Sequence, residues 1–194
     1  FTPTTKHELK VGLKVYQTLQ PRIHGQYPLT GRRHDTIEAM YESRAYRQVI
    51  RNCPINEWDV SNVDDMSNLF EDSIHAYFNS DISNWNTSRV TNMEGMFSNA
   101  RIFNQLINTH AVTRQDGTTY MAWDVSNVTN MKNMFAGRGG NRSVPLPVRG
   151  IRQGPYYLPN VTEFNQDLNT WDTSNVTNME GMFKDCKVFN QILF

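Results

Sequence analysis

The segment that decides the fold is WDVSNVTNMKNMF, which runs from Trp123 to Phe135. Three other segments repeat its pattern: WDVSNVDDMSNLF at 58–70, WNTSRVTNMEGMF at 85–97 and WDTSNVTNMEGMF at 171–183. In chain order we call the four segments the first to fourth units. In each unit, Ser, Val, Met and Phe follow the tryptophan by 3, 5, 8 and 12 positions. Four copies with one spacing indicate a repeat protein, in which each unit buries its apolar face against its neighbours.

A second motif, Phe-Asn, recurs between the units. Its tightest link to the preceding unit is 6 residues, which gives a basic period of 25 residues. The tryptophans are spaced by 27, 38 and 48 residues, so the chain carries insertions near 107–120 and 136–160. We expect the repeated asparagines to form a ladder that satisfies backbone groups at the corner of each repeat. They are Asn79, Asn104, Asn165 and Asn190.

Within each unit, the residue pattern predicts a short strand followed by one helical turn. Residues 82–87 alternate apolar and polar side chains, as a half-buried strand does. The ranges 91–94 and 177–180 fit the helix-capping box, and the Met, Met and Phe that complete these units would share one helical face. The sequence therefore predicts an α/β solenoid, a stack of about four strand-plus-short-helix coils.

The segment before the repeats has the pattern of a helical cap. Residues 5–8 form another capping box, and Pro21 would end the helix that follows it. A second helix is expected after Asp35. We therefore predict an N-terminal helical cap over residues 1–52 and the repeat solenoid, with its two insertions, over residues 53–194.

The overall composition argues against two classes of partner. Among the 194 residues, Lys plus Arg and Asp plus Glu both number 19, so the net charge is zero, whereas a general nucleic-acid binder carries a net basic surface. Mean hydropathy is −0.60, and no apolar run approaches the roughly 20 residues of a membrane span. We expect neither nucleic-acid binding nor direct membrane insertion.

The repeated aromatic residues are assigned to the structural core. An exposed aromatic stripe could bind sugars, but residues at fixed repeat positions are typical of stacked cores. The assigned core residues are Trp58, Trp85, Trp123, Trp171, Phe70, Phe97, Phe135 and Phe183.

The repeated polar residues predict no catalytic, cofactor or metal site. The serine three positions after each tryptophan has no histidine nearby in sequence and is expected to bond nearby backbone in a turn. The acid after the tryptophan is Asn86 in the second unit, and a calcium cage needs six to eight oxygen ligands in a defined loop. The five histidines show no metal-ligand spacing. We therefore predict that the protein is not an enzyme.

The two insertions are the predicted partner-binding segments. The insertion at 136–160 is long, basic and contains tyrosines, which are enriched in protein interfaces. The residues assigned to partner binding are Arg138, Arg142, Arg149, Arg152, Tyr156 and Tyr157. The insertion at 107–120 is the second candidate, with His110, Arg114, Asp116 and Tyr120.

The W-D-x-S-x-V-T-N-M-x-x-M-F units and the linking Phe-Asn-Gln resemble the repeats of BspA-like leucine-rich-repeat surface proteins. The resemblance covers nearly all of residues 53–194 apart from the two insertions. It implies a leucine-rich-repeat-like solenoid without enzymatic activity. Members of that family occur on bacterial cell surfaces, in protists and algae, and in large DNA viruses, and the surface members are associated with adhesion.

Together, the repeats and the resemblance predict a non-enzymatic protein that mediates protein–protein interaction. It would be a surface-displayed adhesion module, or a structural component of a larger assembly such as a viral capsid. Its partners would be host-surface proteins or neighbouring subunits, and its location the cell surface, the extracellular space or the virion. The alternative is a carbohydrate-binding module, which would need aromatic rings exposed along one face. An enzyme of the parallel β-helix kind would instead need acids clustered at a cleft.

Overall fold

The computed structural model describes residues 1–20, 44–71, 75–137, 144–145, 157–158 and 162–192. Regular secondary structure in these residues is sparse, and each of the two sheets is a two-stranded antiparallel pair, β1 with β2 and β3 with β4. The elements are α1 (Lys6–Leu19), α2 (Arg44–Asn52), a 3-10 helix (Ile55–Glu57), β1 (His110–Thr113), β2 (Thr119–Ala122), β3 (Val144–Pro145) and β4 (Tyr157–Leu158).

The predicted α/β solenoid of strand-plus-short-helix coils is wrong. In the described part of the chain both α-helices precede the first unit, and both sheets are short hairpins that do not close. Residues 82–87, predicted as a strand, and the ranges 91–94 and 177–180, predicted as helical turns, are turns and irregular backbone with isolated bridges. The units therefore form neither the sheet nor the helices of a leucine-rich-repeat protein.

Two local features bend the repeat backbone away from both helix and strand. The side-chain Oδ1 of Asn92 accepts the N–H of Glu94 at 3.1 Å, so an Asx turn forms where the capping box had been expected. The hydroxyl of Thr91, the predicted cap, instead donates to the Asp64 carbonyl at 3.4 Å. Gly95 then has a φ of +58°, a left-handed conformation that a helix cannot continue through. The equivalent residues of the other units are left-handed too: Asn68, Asn133 and Gly181.

Successive units contact one another through their backbones. The N–H groups of Met93, Gly95 and Phe97 each donate, at 2.8 Å, to a carbonyl of the third unit. Equivalent bonds join the first unit to the second and the third to the fourth, and in this row the earlier unit always donates. Isolated parallel bridges mark the same junctions, at Asp65–Asn92, Asn92–Asn130 and Asn130–Asn178. These sideways bonds use the N–H groups that a helix would have bonded internally.

Phenylalanine rings from the units and from the Phe-Asn motifs fill the core in two columns. Neighbouring rings are nearly parallel, with centroids 5.1 to 5.5 Å apart in the unit column and 6.0 to 6.2 Å apart in the motif column. Each stacked pair contributes roughly 0.5–1.5 kcal/mol beyond its burial. The unit column is Phe70, Phe97, Phe135 and Phe183, and the motif column is Phe78, Phe103, Phe164 and Phe189.

The tryptophans are fixed by their indole N–H groups. Trp85 donates to the Ile55 carbonyl at 2.8 Å, and Trp123 donates to the Ile82 carbonyl at 2.9 Å. Trp171 makes the same bond to Ile107 at 2.7 Å. A buried indole needs such an acceptor, which explains why the tryptophan keeps one position in every unit.

Helix α1 starts as the sequence predicted and packs on the first unit. Thr5 accepts the Glu8 N–H at 3.2 Å, and the Glu8 carboxylate accepts the Thr4 N–H at 2.7 Å, so the capping box is confirmed. The Lys6 ammonium reaches Asp65 of the first unit at 3.0 Å, and the Trp58 ring lies against the rings of the N-terminal segment.

The rest of the predicted N-terminal cap is only partly described. The helix expected after Asp35 begins outside the described residues, and α2 is the helix observed before the first unit. The domain boundary between residues 52 and 53 stays a prediction. No helix in the described part of the chain is long and apolar enough to cross a membrane.

Candidate interaction surface

The side chain after each tryptophan closes a turn. Its Oδ1 accepts the N–H of the serine two residues later, at 3.0 to 3.2 Å. Asn86 does this as well as the aspartates, because only an acceptor oxygen is needed. The serines were expected to bond backbone; instead the hydroxyls of Ser61 and Ser88 donate to these side-chain oxygens, at 2.6 and 2.7 Å. The four turn-closing residues are Asp59, Asn86, Asp124 and Asp172.

The Asp172 turn has an electrostatic consequence. Its hydrogen bonds, first from the Ser174 side chain and then from the Ser174 backbone, lower the pKa of the Asp172 carboxyl below its ordinary value. Among the residues that the structure describes, no group of three or more His, Cys, Asp or Glu is placed to hold a metal ion. The repeated polar side chains are thus engaged in shaping the turns.

The predicted asparagine ladder is confirmed. The N–H of Asn104 donates to Asn79 Oδ1 at 2.9 Å, and the N–H of Asn165 donates to Asn104 Oδ1 at 2.9 Å. Asn190 continues the ladder onto Asn165 at 3.0 Å. The glutamine that follows three of these asparagines adds a second bond to the same oxygens. The ladder holds the Phe-Asn motifs in register with the phenylalanine columns.

The first insertion folds into the β1–β2 hairpin and lies against the first two units. The Arg114 guanidinium is 3.3 Å from Asp59 Oδ1 and 4.7 Å above the Tyr120 ring. The Tyr120 hydroxyl donates to the Asn84 carbonyl at 2.6 Å, and burial raises the pKa of Tyr120. Asp116 closes the hairpin turn by accepting from Thr118. His110 Nδ1 is 2.9 Å from the Asn108 carbonyl. These four candidates all contact the chain itself.

The second insertion lies almost entirely outside the described residues. Within it the structure gives the backbones of β3 and β4, in which Tyr157 pairs with Pro145. The partner-binding assignment to this insertion therefore stays a prediction. The predicted residues that fall outside the described part are Arg138, Arg142, Arg149, Arg152 and Tyr156.

The predicted core aromatics are buried with one exception. Seven of the eight are at most 5% exposed, whereas Phe183 in the fourth unit is only partly buried. Next to Phe183, Met179 exposes 37% of its surface, although its counterpart Met93 in the second unit is fully buried. The burial of the units thus differs most at the fourth.

The fourth unit carries an open apolar hollow, which we call the end face. Its volume is about 270 Å³. The N–H groups of Met179, Gly181 and Phe183 border it, and none of them donates to a carbonyl among the described residues. A row of backbone N–H groups attracts electron-rich oxygen atoms. The end face is lined by Leu168, Trp171, Thr173, Met179, Gly181, Met182, Phe183 and Lys184.

The sequence analysis did not single out the end face as a binding site. The signal that marks it is the identity of residues 177–183 with residues 91–97, both Thr-Asn-Met-Glu-Gly-Met-Phe. The first copy is covered by the third unit, while no described residue lies over the second in the same way.

One family model matches most of the chain. It is described as "Mycoplasma protein of unknown function, DUF285", and it matches residues 35–122 and 116–193. The chain belongs to this family. No curated protein and no solved structure matches the chain.

The two DUF285 matches divide the repeats in a regular way. The match at 35–122 contains the first and second units, and the match at 116–193 contains the third and fourth. In each pair, the earlier unit has asparagine and the later unit glycine at the left-handed position. The pattern of the DUF285 model therefore spans two units, and the end face belongs to the later unit of the second pair.

Proposed function

We propose that this DUF285 protein is a non-enzymatic repeat protein of the BspA-like type whose role is contact with other proteins. The observation that carries the proposal is the end face, where an apolar hollow of about 270 Å³ adjoins a row of N–H groups with no carbonyl partner among the described residues. Exposed apolar surface beside unpaired backbone donors is the pattern of a polypeptide-binding edge.

A polypeptide supplies both groups that the end face needs. Its carbonyl groups recur along the backbone at the spacing of the free donors, and its side chains can fill the hollow. Burying the hollow would contribute about 25 cal/mol for each Å² of apolar surface removed from water. The carbohydrate alternative relies on exposed aromatic rings, and all four repeated tryptophans are at most 5% exposed.

Two settings fit such a contact. In the first, the protein is displayed at a cell surface and adheres to a host protein, as the resemblance to BspA-like proteins suggests. In the second, it is held among neighbouring subunits of an assembly such as a viral capsid. Both settings use the same face, so one experiment on that face tests the shared proposal.

The test is photo-crosslinking in the native source. A benzophenone amino acid replaces Lys184, which is exposed at the rim of the end face, and a control protein carries it at Asp116 on the hairpin turn. We expect discrete protein adducts from position 184 and few from position 116. Adding Met179→Glu to the position-184 protein should remove the adducts, because a carboxylate would lie in the hollow. No adducts at 184, or equal adducts at both positions, would contradict the proposal.

A further inference from the structure

The two identical heptapeptides show what the end face is shaped to bind. Residues 91–97 and 177–183 have the same seven side chains and the same turn. In the second unit this surface is covered: Met93 is fully buried and Phe97 is 1% exposed. The covering segment is residues 129–135, Thr-Asn-Met-Lys-Asn-Met-Phe.

The covering segment uses four kinds of contact. Three carbonyl groups accept the N–H groups of residues 93, 95 and 97, each at 2.8 Å. The Phe135 ring stacks on Phe97 with centroids 5.5 Å apart and planes 3° apart. The Asn130 side chain donates to the Glu94 carboxylate at 3.1 Å. The Thr129 hydroxyl donates to a backbone carbonyl of the second unit at 3.1 Å. The same groups of residues 177–183 face the end face.

Charge and size also select the covering segment. Lys132 is 2.7 Å from Glu180, and its pKa is raised first by the hydrogen bond to Glu180 and also by the charges of Glu180 and Glu94. Lysine thus lies between the glutamates of the second and fourth units. A segment with lysine at this position would again oppose a glutamate if it covered the fourth unit.

The left-handed position repeats this alternation. A Cβ on Gly95 would meet Asn68 Oδ1 at 2.3 Å, and a Cβ on Gly181 would meet Asn133 Oδ1 at 2.5 Å. Each glycine therefore makes room for the asparagine of the unit before it. Along the junctions the order is Asn, Gly, Asn, Gly, so a unit with asparagine is the one that continues the order.

We propose that the end face binds a segment of the pattern Thr-Asn-Met-Lys-Asn-Met-Phe supplied by a second polypeptide. The segment is held as residues 129–135 are held by residues 91–97. This inference rests on the proposed function and names the chemistry of the partner. The partner is a protein that presents one repeat unit of this type with its carbonyl row accessible.

A second copy of this chain does not offer that edge. Its own 129–135 segment is used, since Met131, Met134 and Phe135 are at most 1% exposed. The carbonyl side of its first unit lies beside α1, from which Lys6 bonds Asp65 at 3.0 Å. Two end faces cannot pair through these rows either, because both present N–H donors. The occupant is therefore a different protein.

The test measures binding of synthetic peptides to the full 194-residue chain. The probe is a peptide of residues 123–137, titrated to millimolar concentration by fluorescence anisotropy. Amide hydrogen exchange of the chain is followed in parallel. We expect saturable binding that slows exchange at Met179, Gly181 and Phe183. Exchange at Thr118 in the hairpin turn, the matched control, should not change.

Variant peptides and variant chains sharpen the test. A Phe135→Ala peptide should bind roughly tenfold or more weakly, because it loses the stacking ring. A Lys132→Glu peptide should bind about two- to fivefold more weakly, because an exposed ion pair contributes little. On the chain, Met179→Lys should abolish binding, whereas Met121→Lys, at another exposed methionine, should leave it unchanged.

Three outcomes would overturn the inference. The first is the absence of protection at the three amides with millimolar peptide. The second is equal binding of the native, Phe135→Ala and Lys132→Glu peptides. The third is concentration-dependent self-association of the chain that Met179→Lys removes, because the occupant would then be a second copy. Adducts at position 184 together with a silent peptide would leave the proposed function standing and reject only this inference.

Discussion

Residues 91–97 and 177–183 have one sequence and two environments. Their backbones agree closely: the glycine φ is +58° in one and +64° in the other, and the Asx turn bond is 3.1 and 3.0 Å. Their burial does not agree, since Met93 is fully buried and Met179 is 37% exposed. The local residues set the turn, and the neighbouring unit decides how much of it is buried.

This difference separates two contributions to stability. The Asx bonds and the left-handed glycine act inside each unit and should contribute equally in both copies. Ring stacking and removal of apolar surface from water depend on both neighbours, and the fourth unit has only one among the described residues. Matched substitutions in the two copies can therefore measure each contribution alone.

The largest difference is expected for the phenylalanines. Phe97 stacks on both Phe70 and Phe135, whereas Phe183 stacks on Phe135 alone within its column. Phe97→Ala should lower the free energy of unfolding by about 3–5 kcal/mol, and Phe183→Ala by roughly 1–2 kcal/mol. Urea unfolding followed by tryptophan fluorescence measures both values.

Phe97→Leu and Phe183→Leu are the controls, because they keep an apolar side chain and remove only the ring. Both should be milder than the alanine variants, and their order should be the same. Equal losses for Phe97→Ala and Phe183→Ala would show that the fourth unit is as well covered as the second.

The glycines should instead respond alike. Gly95→Ala and Gly181→Ala each place a Cβ at positive φ and within 2.5 Å of an asparagine oxygen of the preceding unit. Because that unit is present in both cases, we expect similar losses of about 1–2 kcal/mol. Urea unfolding midpoints at constant slope provide the measurement.

A double-mutant cycle separates steric contact from backbone strain. Asn68→Gly removes the oxygen that a Cβ at position 95 would meet, while glycine tolerates the left-handed φ of that position. Combined with Gly95→Ala, it should recover the steric part of the loss and leave the conformational part. Losses that differ strongly between Gly95→Ala and Gly181→Ala would refute the view that the turn is set locally.

The sequence predicted the long-range order of the repeats better than their local structure. The spacing of Trp, Met and Phe and the recurrence of Asn located the residues that form the columns and the ladder, since stacking needs identical side chains at equal intervals. The strand and helix assignments failed because the period was judged by apolar spacing alone. The Asn-x-Glu turn and the left-handed Asn or Gly were visible in the sequence, but their turn chemistry was not used.

The candidate surface was harder to predict than the fold. Arg114 and Tyr120 look like exposed contact residues, yet they bind Asp59 and Asn84 across the hairpin. No periodicity reports such contacts, because the insertion has no repeat partner. The identity of the two heptapeptides was readable, but it gained meaning only once one copy was seen covered by Lys132 and Asn133.

The smallest expected effect concerns pH, and it compares the second and fourth units at their one titratable difference. Asp172 closes the turn that Asn86 closes in the second unit, and the Ser174 bonds lower its pKa from the ordinary 3.8. A carboxyl with a lowered folded-state pKa stabilises the protein above its unfolded-state pKa, and this stabilisation is lost as pH falls through the folded value. Asp172→Asn keeps the acceptor oxygen and cannot titrate. The variant should therefore lose less stability than the native protein when urea midpoints at pH 6 and about pH 3 are compared.

Asn86→Asp is the mirror variant and should enlarge the acid loss, because it adds a titrating acceptor to the same turn in the second unit. Asp172→Ala distinguishes the hydrogen bond from the charge: it should be less stable than Asp172→Asn at pH 6, where both lack the charge and only asparagine retains the turn. If Asp172→Asn and the native protein lose equal stability on acidification, the Ser174 bonds do not favour the charged carboxylate in the folded state. The acid sensitivity would then have to come from the other carboxyls with lowered pKa, at Glu8, Asp65, Asp116 and Glu180.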